Sequence, residues 1–518
     1  MFERRRKLWG WGFEDQQPSF EEIEQVASGA RQHLGFEAAD VERPPRLEDV
    51  ELPPPRIEPP SSLAEICSSE PYERITHAYG KAYRDLVRAL RGRFDHPPDV
   101  VARPRDEREV EQVLAWCADA GAAAIPYGGG TSVVGGVEPR VPQEAAVTID
   151  LGRLDSVLEV DEVSRAARIQ AGATGPGLEE QLKQHGLTLR HYPQSFEYST
   201  LGGWIATRAG GHFATLHTHI DDFVESVRAL TPTGVWESRR LPGSGAGPSP
   251  DRLLIGSEGI LGVITEAWVR VQEAPRFKES AAVLFDGFEQ GAEAVRALTQ
   301  TRLFPTNCRL LDPGEAALTS AAPAGEALLV LGFEGSDEVA TQMAQAIALC
   351  EEAGGRAREK RGESEGAWRD AFLQAPYLRD TLIAAGILAE TFETAITWDR
   401  FSEFVAEVRE RAAAALGPDG RITVRITHAY PDGAAPYFTV LAPARRGSEL
   451  EQWEEVKAAA SEAIETAGGT ITHHHAVGRD HRPWYDRQRP DRFADALRAA
   501  KAAVDPQGIL NPGVLVDP

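Results

Sequence analysis

The chain has 518 residues, of which 42% are hydrophobic and 26% charged, a balance typical of a globular protein with two or three domains. Its 55 Lys and Arg residues face 79 Asp and Glu residues, which gives a formal net charge of −24. Such an acidic surface repels phosphate backbones, so no nucleic-acid partner is expected. The four cysteines are isolated and form no CxxC pair, which argues against a cysteine zinc site and indicates free thiols in a reducing cytoplasm.

The beginning of the chain is polar. The basic cluster 4–7 is expected to be a solvated terminus, and the prolines at 53–55 and 59–60 predict an extended arm or linker lying on the body. The apolar stretch of a signal peptide is missing, and no apolar run reaches the ~20 residues that a membrane-spanning helix needs. We therefore expect a soluble, cytoplasmic protein, with contact at a membrane surface left open.

Between residues 77 and 271, helix and strand patterns alternate without a strict βαβ rhythm. The patterns predict helices at 77–91, 107–120 and 176–185, and strands at 122–126, 147–151, 166–171 and 263–271. Thr174 is a predicted N-cap of the helix at 176–185, and Ser199 or Thr200 would cap a helix that starts with glycines. The irregular order favours an α+β fold over a doubly wound parallel sheet.

From about residue 276 the pattern changes to longer helices with intervening strands. One helix is predicted at 449–466, with Ser448 as its N-cap and Gly468 closing it, and 437–441 is predicted to be a strand. The end of the chain, 505–513, is a turn-rich tail.

Three consecutive glycines follow the strand predicted at 122–126. Gly128, Gly129 and Gly130, followed by Thr131 and Ser132, offer a row of backbone amides and two hydroxyls, which is the chemistry of a pyrophosphate-binding loop. No GK[ST] follows, so this is not a Walker loop, and the spacing is not GxGxxG. From this loop alone, a plain glycine-rich turn is the favoured alternative, and the neighbouring loops lead to the other interpretation.

Further loops rich in small residues follow at 193–200, 201–211 and 256–264. In this order, the segments resemble the FAD-binding signature of the vanillyl-alcohol oxidase / p-cresol methylhydroxylase flavoprotein superfamily. More narrowly, the chain resembles the alkyl-dihydroxyacetonephosphate synthases. The resemblance covers nearly the whole length, through segments 9–13, 74–78, 126–132, 309–312, 377–380, 392–394, 398–400, 425–438 and 473–478.

The resemblance implies an α+β protein with a two-subdomain FAD-binding domain of the p-cresol methylhydroxylase type and an α+β cap domain that binds substrate. The expected divisions are an N-terminal arm, Pro-rich linker and helix at 1–95, the FAD-binding domain at 96–275, the cap domain at 276–470, and a C-terminal segment at 471–518 that returns to the flavin. A homodimer is also implied.

The resemblance further implies that FAD is bound non-covalently by four segments. The expected cofactor contacts are Pro126, Tyr127, Gly128, Gly129, Gly130, Thr131, Ser132, Pro193, Gln194, Ser195, Phe196, Glu197, Tyr198, Ser199, Ala206, Thr207, Arg208, Ala209, Glu258, Gly259, Ile260, Leu261, Gly262, Val263 and Ile264.

Carried over to this sequence, the family pattern implies roles for six more side chains. Arg379 would hold the substrate phosphate, Tyr437 would exchange the proton on the reacting carbon, and Arg309 would lie near the flavin. His473, His474 and His475 would border the flavin and the reacting centre.

The residue types are compatible with these roles. Arginine suits a phosphate monoester because its guanidinium donates two parallel hydrogen bonds, and the neighbouring Asp380 could orient Arg379, although a surface ion pair is the alternative. A tyrosine in an apolar strand is commonly a core residue. As a base, Tyr437 would need its pKa of ~10 lowered by a nearby Arg or protonated His.

The histidine triplet leaves three alternatives open. On a strand, His473 and His475 would share one face and could begin a zinc site, but no third ligand or HExxH motif is evident, so no metal is expected. The other two are a polar strand end and an acid/base or orienting role beside the flavin.

The predicted function is a flavin-dependent transferase. It would exchange the acyl group of acyl-dihydroxyacetone phosphate, a phosphate ester, for a long-chain lipid alcohol through a flavin N5 adduct without net oxidation. Because the tail Leu510–Gly513 looks more like that of D-lactate and glycolate dehydrogenases, an FAD-dependent oxidoreductase acting on a 2-hydroxy acid or an alcohol is the alternative. A binding protein with a degenerate flavin site is the third hypothesis.

Overall fold

The computed structural model describes residues 4–36, 40–319, 321–358 and 363–517, and for 363–373 only the course of the helix. The helices are α1 Phe20–Leu34, α2 Pro71–Thr76, α3 Tyr83–Leu90, α4 Glu107–Ala120, α5 Gly175–Lys183, α6 Leu201–Thr207, α7 Asp251–Leu254, α8 Phe288–Thr299, α9 Pro313–Leu318, α10 Ala340–Glu352, α11 Glu363–Ala384, α12 Phe401–Leu416, α13 Glu449–Thr466, α14 Arg482–Gln488 and α15 Asp491–Val504. Across the described ranges, every helix is too short or too polar to pass through a lipid bilayer.

The strands are β1 Cys67–Ser68, β2 Val100–Ala102, β3 Ala123–Tyr127, β4 Ala146–Asp150, β5 Val157–Asp161, β6 Ala166–Gln170, β7 Leu187–Thr188, β8 Val224–Thr231, β9 Gly234–Glu237, β10 Val263–Arg270, β11 Gln272–Glu273, β12 Phe277–Phe285, β13 Asn307–Leu311, β14 Ala327–Gly335, β15 Arg356–Ala357, β16 Ile387–Glu393, β17 Ile396–Thr397, β18 Arg421–Ala429 and β19 Gly433–Pro443.

Three larger sheets organise the chain. A four-stranded sheet has the order β1-β2-β4-β3 and is parallel between β2, β4 and β3. A five-stranded antiparallel sheet has the order β5-β6-β10-β8-β9. The third sheet, in which the antiparallel strands run in the order β15-β12-β14-β13-β18-β19-β16, belongs to the second half of the chain. Helices and mostly antiparallel sheets alternate irregularly, and the predicted α+β fold is confirmed.

The helix predicted at 77–91 is wrong in its first part. The structure ends α2 at Thr76 and begins α3 at Tyr83. Between them the chain turns against the glycine-rich loop, because Lys81 N donates to Ser132 O at 2.5 Å and a Cβ on Gly80 would overlap the same carbonyl group. This contact replaces the intrahelical hydrogen bonds that a continuous helix would make.

The first part of the chain is more structured than predicted. Helix α1 is capped by Ser19, whose Oγ accepts a hydrogen bond from Glu22 N at 3.2 Å, and its residue Ile23 is buried in the core together with Trp9. The expectation of a solvated terminus is wrong for Lys7, which is only 5% exposed and lies over the ring of Tyr377. Residues of this segment therefore pack against the body.

The predicted N-caps have different outcomes. Thr174 and Thr200 accept hydrogen bonds from Gly177 N and Gly203 N, as predicted. Ser448 makes no capping hydrogen bond to α13, because its hydroxyl donates to Arg445 O instead. The helix still begins at the predicted residue.

Candidate active site

A cavity of about 1000 Å³ lies between the glycine-rich loops of the first half of the chain and the large sheet of the second half. On one side its walls are loops that follow β3, precede and follow α6, and precede β10. On the other side they are strands β13, β16, β18 and β19 and one face each of α1, α9 and α11. Loops and strands far apart in sequence therefore share one site.

The glycine-rich loop packs so closely on its neighbour that side chains would not fit. A Cβ on Gly129 would lie 2.6 Å from the carbonyl carbon of Tyr198 and 2.8 Å from Ser199 Cα. Gly130 has a φ of +67°, a conformation that other residues rarely adopt. The loop 126–132 lines the cavity throughout, and its side-chain-free amides suit an anionic diphosphate.

Further groups in the cavity wall also suit a dinucleotide. Asn511 Nδ2 donates to Glu258 O at 2.7 Å and to Gly136 O at 3.1 Å. Its buried Oδ1 has no hydrogen-bonding partner among the described residues, so it can accept from an N–H group of a bound ligand. The residues present fit FAD.

The structure brings most of the predicted cofactor contacts to this cavity. Its wall contains Pro126, Tyr127, Gly128, Gly129, Gly130, Thr131, Ser132, Pro193, Gln194, Ser195, Ser199, Ala206, Thr207, Ala209, Glu258, Gly259, Gly262 and Ile264. The residues outside the wall are Phe196, Glu197, Tyr198, Arg208, Ile260, Leu261 and Val263. Of these, Ile260, Leu261 and Val263 are core residues, and Arg208 pairs with Asp221 at 2.8 Å.

One face of three neighbouring strands forms the opposite wall. Its side chains alternate along each strand: Thr423, Arg425 and Thr427 on β18, Tyr437, Thr439 and Leu441 on β19, and Ala389 and Thr391 on β16. Arg425 lies directly opposite Tyr437 in the β18–β19 register. Alternation with period two does not by itself predict this pair, because a β-bulge between Ile426 and His428 shifts the register of β18 against β19 by one residue.

Tyr437 lies at the centre of this wall. It is 5% exposed, its hydroxyl donates to Thr391 Oγ1 at 3.0 Å, and the guanidinium carbon of Arg425 lies 3.9 Å from its ring centroid. Burial raises the pKa of Tyr437, although Arg425 and the Thr391 hydroxyl oppose the shift. The expected lowering of this pKa is therefore not found, because burial outweighs the neighbouring cation.

The guanidinium of Arg379 also borders the cavity. It donates to Lys81 O and lies 4.0 Å from Glu390 Oε1, and its buried Nε has no partner among the described residues. Asp380 was expected to orient it, but Asp380 instead accepts a hydrogen bond from Trp11 N at 2.6 Å. Glu390 and the Lys81 carbonyl are the groups that hold Arg379.

The histidine triplet follows α13 in an irregular loop, and the strand considered for it is wrong. The reason is the buried carboxylate of Glu393 at the end of β16, which accepts hydrogen bonds from His473 N at 2.7 Å, His475 N at 2.9 Å and Thr472 Oγ1 at 2.6 Å. A second buried carboxylate, that of Glu258, accepts hydrogen bonds from Val477 N and Gly478 N, just after the triplet. Two buried carboxylates thus fix the loop.

The three histidines occupy different places. His474 and His475 line the cavity together with Arg309, whereas His473 lies behind them, hydrogen-bonded to Tyr430. Burial lowers the pKa of His474 to about 3 and that of His475 to about 4, against the opposing effect of Glu393. Both imidazoles are therefore neutral near neutral pH.

A different set of histidines approaches the arrangement of a metal site. One ring nitrogen each of His428, His473 and His474 lies within 4.8 Å of the others. His428 Nε2 lies 3.2 Å from Gly211 O, and the Nδ1 atoms of His473 and His474 lie 2.9 Å apart. These contacts are hydrogen bonds of neutral rings, and an ion would have to break them.

The cavity continues into an apolar part beside the first helix. Val26, Gly29, Ala30, His33 and Leu34, at the spacing of one helical face, line it from α1. Leu318 of α9 and Leu378 of α11 lie in the same wall and are 43% and 50% exposed. This wall was not predicted from the sequence, because the segment was predicted to be an arm.

Comparisons with known proteins agree with this architecture. Residues 98–238 match the family model described as an FAD binding domain, and residues 274–515 match the C-terminal domain of FAD linked oxidases. Alkyldihydroxyacetonephosphate synthase of Dictyostelium discoideum is 31% identical over 514 residues, which cover 91% of this chain and 83% of that protein.

Solved structures are similar over almost the whole chain. A structure of alkyldihydroxyacetonephosphate synthase has a TM-score of 0.82 at 25% identity, with 98% of each chain covered. A structure of p-cresol methylhydroxylase with substrate bound has a TM-score of 0.71 at 14% identity, covering 96% of this chain and 98% of the other, and shares the fold.

Proposed function

Because the chain belongs to the alkyldihydroxyacetonephosphate synthase family and is an enzyme with FAD as its cofactor, we propose that it makes an ether lipid precursor. The reaction exchanges the acyl group of acyl-dihydroxyacetone phosphate for a long-chain alcohol. Its products are the alkyl ether and a fatty acid, so oxidant and reductant are not consumed. The observation that carries the proposal is one cavity that combines a diphosphate cradle, arginines, a tyrosine and an apolar wall.

Each part of the cavity has a role in this reaction. The bare amides of 126–132 hold the FAD diphosphate without a covalent bond, and the isoalloxazine ring, when bound, supplies a reactive nitrogen at the substrate carbon. Arg379 binds the substrate phosphate. Tyr437 exchanges the proton on the reacting carbon, with Arg425 against its ring and Arg309 near the flavin. The apolar wall beside α1 takes the alkyl chain.

Substrate binding should depend strongly on Arg379. We expect Arg379→Met to raise KM for the acyl substrate on the order of 100-fold, because a buried, charge-assisted pair with phosphate is lost. The FAD content should stay unchanged. Steady-state kinetics with varied acyl substrate measures the effect.

Arg400 provides the matched control for this substitution. It also donates to a backbone carbonyl, that of Ala467, and lies outside the cavity wall. Arg400→Met should leave KM at the wild-type value. An unchanged KM in Arg379→Met would remove the arginine from the phosphate site.

The proposed reaction is tested by incubating the purified holoenzyme with acyl-dihydroxyacetone phosphate and labelled hexadecanol. A labelled ether and an equal amount of free fatty acid are expected, while the flavin stays oxidised. Absence of ether at every enzyme concentration would end the proposal. Anaerobic bleaching of the flavin by D-lactate or glycolate would instead support the oxidoreductase, which the match to the C-terminal domain of FAD linked oxidases keeps as the alternative.

We also propose that the protein contacts a membrane surface and that it forms a homodimer. The exposed Leu318 and Leu378 beside the apolar wall support contact with a membrane surface, from which a lipid alcohol could enter the cavity. The homodimer is carried over from the family resemblance, whereas the cytoplasm is proposed because the four cysteines are isolated, as suits free thiols in a reducing compartment.

A further inference from the structure

Behind the cavity, a continuous chain of hydrogen bonds leads from His219 to His474. His219 Nε2 lies 2.9 Å from His473 O, and its Nδ1 lies 3.0 Å from Thr218 Oγ1. Thr218 Oγ1 lies 3.0 Å from the Tyr430 hydroxyl, which lies 2.7 Å from His473 Nε2. His473 Nδ1 lies 2.9 Å from His474 Nδ1. The roles proposed above include none of these five residues.

The direction of every hydrogen bond in this network follows from one fixed end, the carbonyl of His473, when each histidine ring carries one proton. A carbonyl oxygen only accepts, so His219 Nε2 carries a proton and donates it to His473 O. With that one ring proton on Nε2, His219 Nδ1 has a lone pair and accepts from the Thr218 hydroxyl. Because that hydroxyl has one proton, its oxygen must accept from Tyr430.

Counting the protons in the same way gives the direction of the remaining hydrogen bonds, as far as His474 in the cavity wall. The Tyr430 hydroxyl donates its only proton to Thr218, so its oxygen accepts a hydrogen bond from His473 Nε2–H. Neutral His473 then has a lone pair on Nδ1, to which His474 Nδ1–H donates. The proton of His474 is thereby on Nδ1, and its Nε2 keeps a lone pair.

We propose that Thr218 and Tyr430 are positioning residues that fix His474, through His473, as the Nδ1–H tautomer, which leaves His474 Nε2 as a proton acceptor. The inference rests on the proposed function and adds to it, since it assigns a second proton-accepting group besides Tyr437 to the reacting centre. Thr218 and Tyr430 lie outside the cavity wall, so the proposal extends the set of functional residues beyond that wall.

A second contact supports the same tautomer. Glu393 Oε2 lies 3.4 Å from His474 Nδ1, and a carboxylate on that side of the ring favours the proton there. The buried carboxylate also holds the backbone of the triplet through its amides, so ring and backbone have one anchor. If every hydrogen bond in this network ran in the opposite direction, His219 Nε2 would face the carbonyl oxygen of His473 without a proton. Two buried acceptors would then oppose each other without a hydrogen bond, which is destabilising.

Tyr430→Phe tests the proposal. The hydroxyl is removed, whereas the backbone contacts of Tyr430 with Gly433 O and with the Trp398 indole are kept. His473 is then free to move its proton to Nδ1, which forces the proton of His474 to Nε2. We expect kcat to fall about 10- to 100-fold, with KM for the acyl substrate within about twofold and the flavin spectrum unchanged.

Tautomers are read directly from nitrogen chemical shifts of the ¹⁵N-histidine-labelled holoenzyme, with His474→Gln used to assign the resonances. His474 Nε2 should be unprotonated in the wild type and at least partly protonated in Tyr430→Phe. Thr218→Val should act in the same direction, since Tyr430 then turns its proton to His473. Tyr79→Phe is the control, because the buried Tyr79 hydroxyl donates to Arg93 O, which is not part of this hydrogen-bond network.

A wild-type His474 protonated on Nε2 would overturn the proposal, as would a Tyr430→Phe enzyme with unchanged tautomer or unchanged kcat. A loss confined to KM would also contradict it, because it would indicate a binding role. The nitrogen shifts need no turnover, so failure of the ether assay would count against the proposed function and leave this test intact.

Discussion

Tyr437→Phe should give a folded, yellow enzyme whose kcat is lower by about 10³-fold, because the group that exchanges a proton with the reacting carbon is lost. The ring of phenylalanine fills the same volume, and Arg425 keeps its place over it and its pairing with Glu315. FAD content and KM for the acyl substrate should change little. Single-turnover kinetics with the labelled alcohol separates this chemical loss from binding.

The proposed role of Tyr437 also predicts the direction in which kcat/KM changes with pH. Burial raises the pKa of Tyr437, so the phenol stays protonated through the neutral range and its basic form becomes more abundant as pH rises. The wild-type kcat/KM should therefore increase with pH above neutrality, and Tyr437→Phe should lose this increase.

Tyr485 offers a matched control, since it also lies beside an arginine, with Arg489 5.1 Å from its ring, but outside the cavity wall. Tyr485→Phe should keep the full rate and the wild-type pH profile. If Tyr437→Phe turned over at the rate of this control, proton exchange would have to be assigned to another group.

Local features of the sequence were the most predictable. The loop 126–132 could be located because three glycines after a buried strand have few uses other than close approach of a ligand or of another backbone. The helix at 107–120 and the caps Thr174 and Thr200 could be predicted because periodicity and capping depend on residues a few positions apart.

Features set by distant residues could not be predicted in the same way. The triplet is held out of a strand by Glu393, which is 80 positions from His473, and Arg379 is held by Glu390 and Lys81 instead of its neighbour Asp380. Lys7 was expected in solvent because charge runs at termini usually are, yet it packs over Tyr377. In each case the partner comes from another part of the chain, and local pattern carries no information about it.

The glycine-rich loop makes the sharpest prediction for the cofactor. In Gly129→Ala the added methyl group meets the backbone of Tyr198 and Ser199, so one of two loops that line the cavity must move. Because neither side of the contact is a flexible side chain, we expect FAD to bind at least ~10²-fold more weakly. The purified variant should lose its yellow colour on gel filtration, whereas its far-UV circular dichroism should remain that of the wild type.

Gly245→Ala controls for the loss of a glycine, since a Cβ at that position meets no atom within 4 Å. It should retain one FAD per chain. Titration of the colourless Gly129→Ala protein with FAD, followed by flavin fluorescence, gives the affinity itself. Stoichiometric, tightly bound flavin in Gly129→Ala would mean that the diphosphate does not lie on these amides, and the roles of the loop and of the residues opposite it would have to be assigned again.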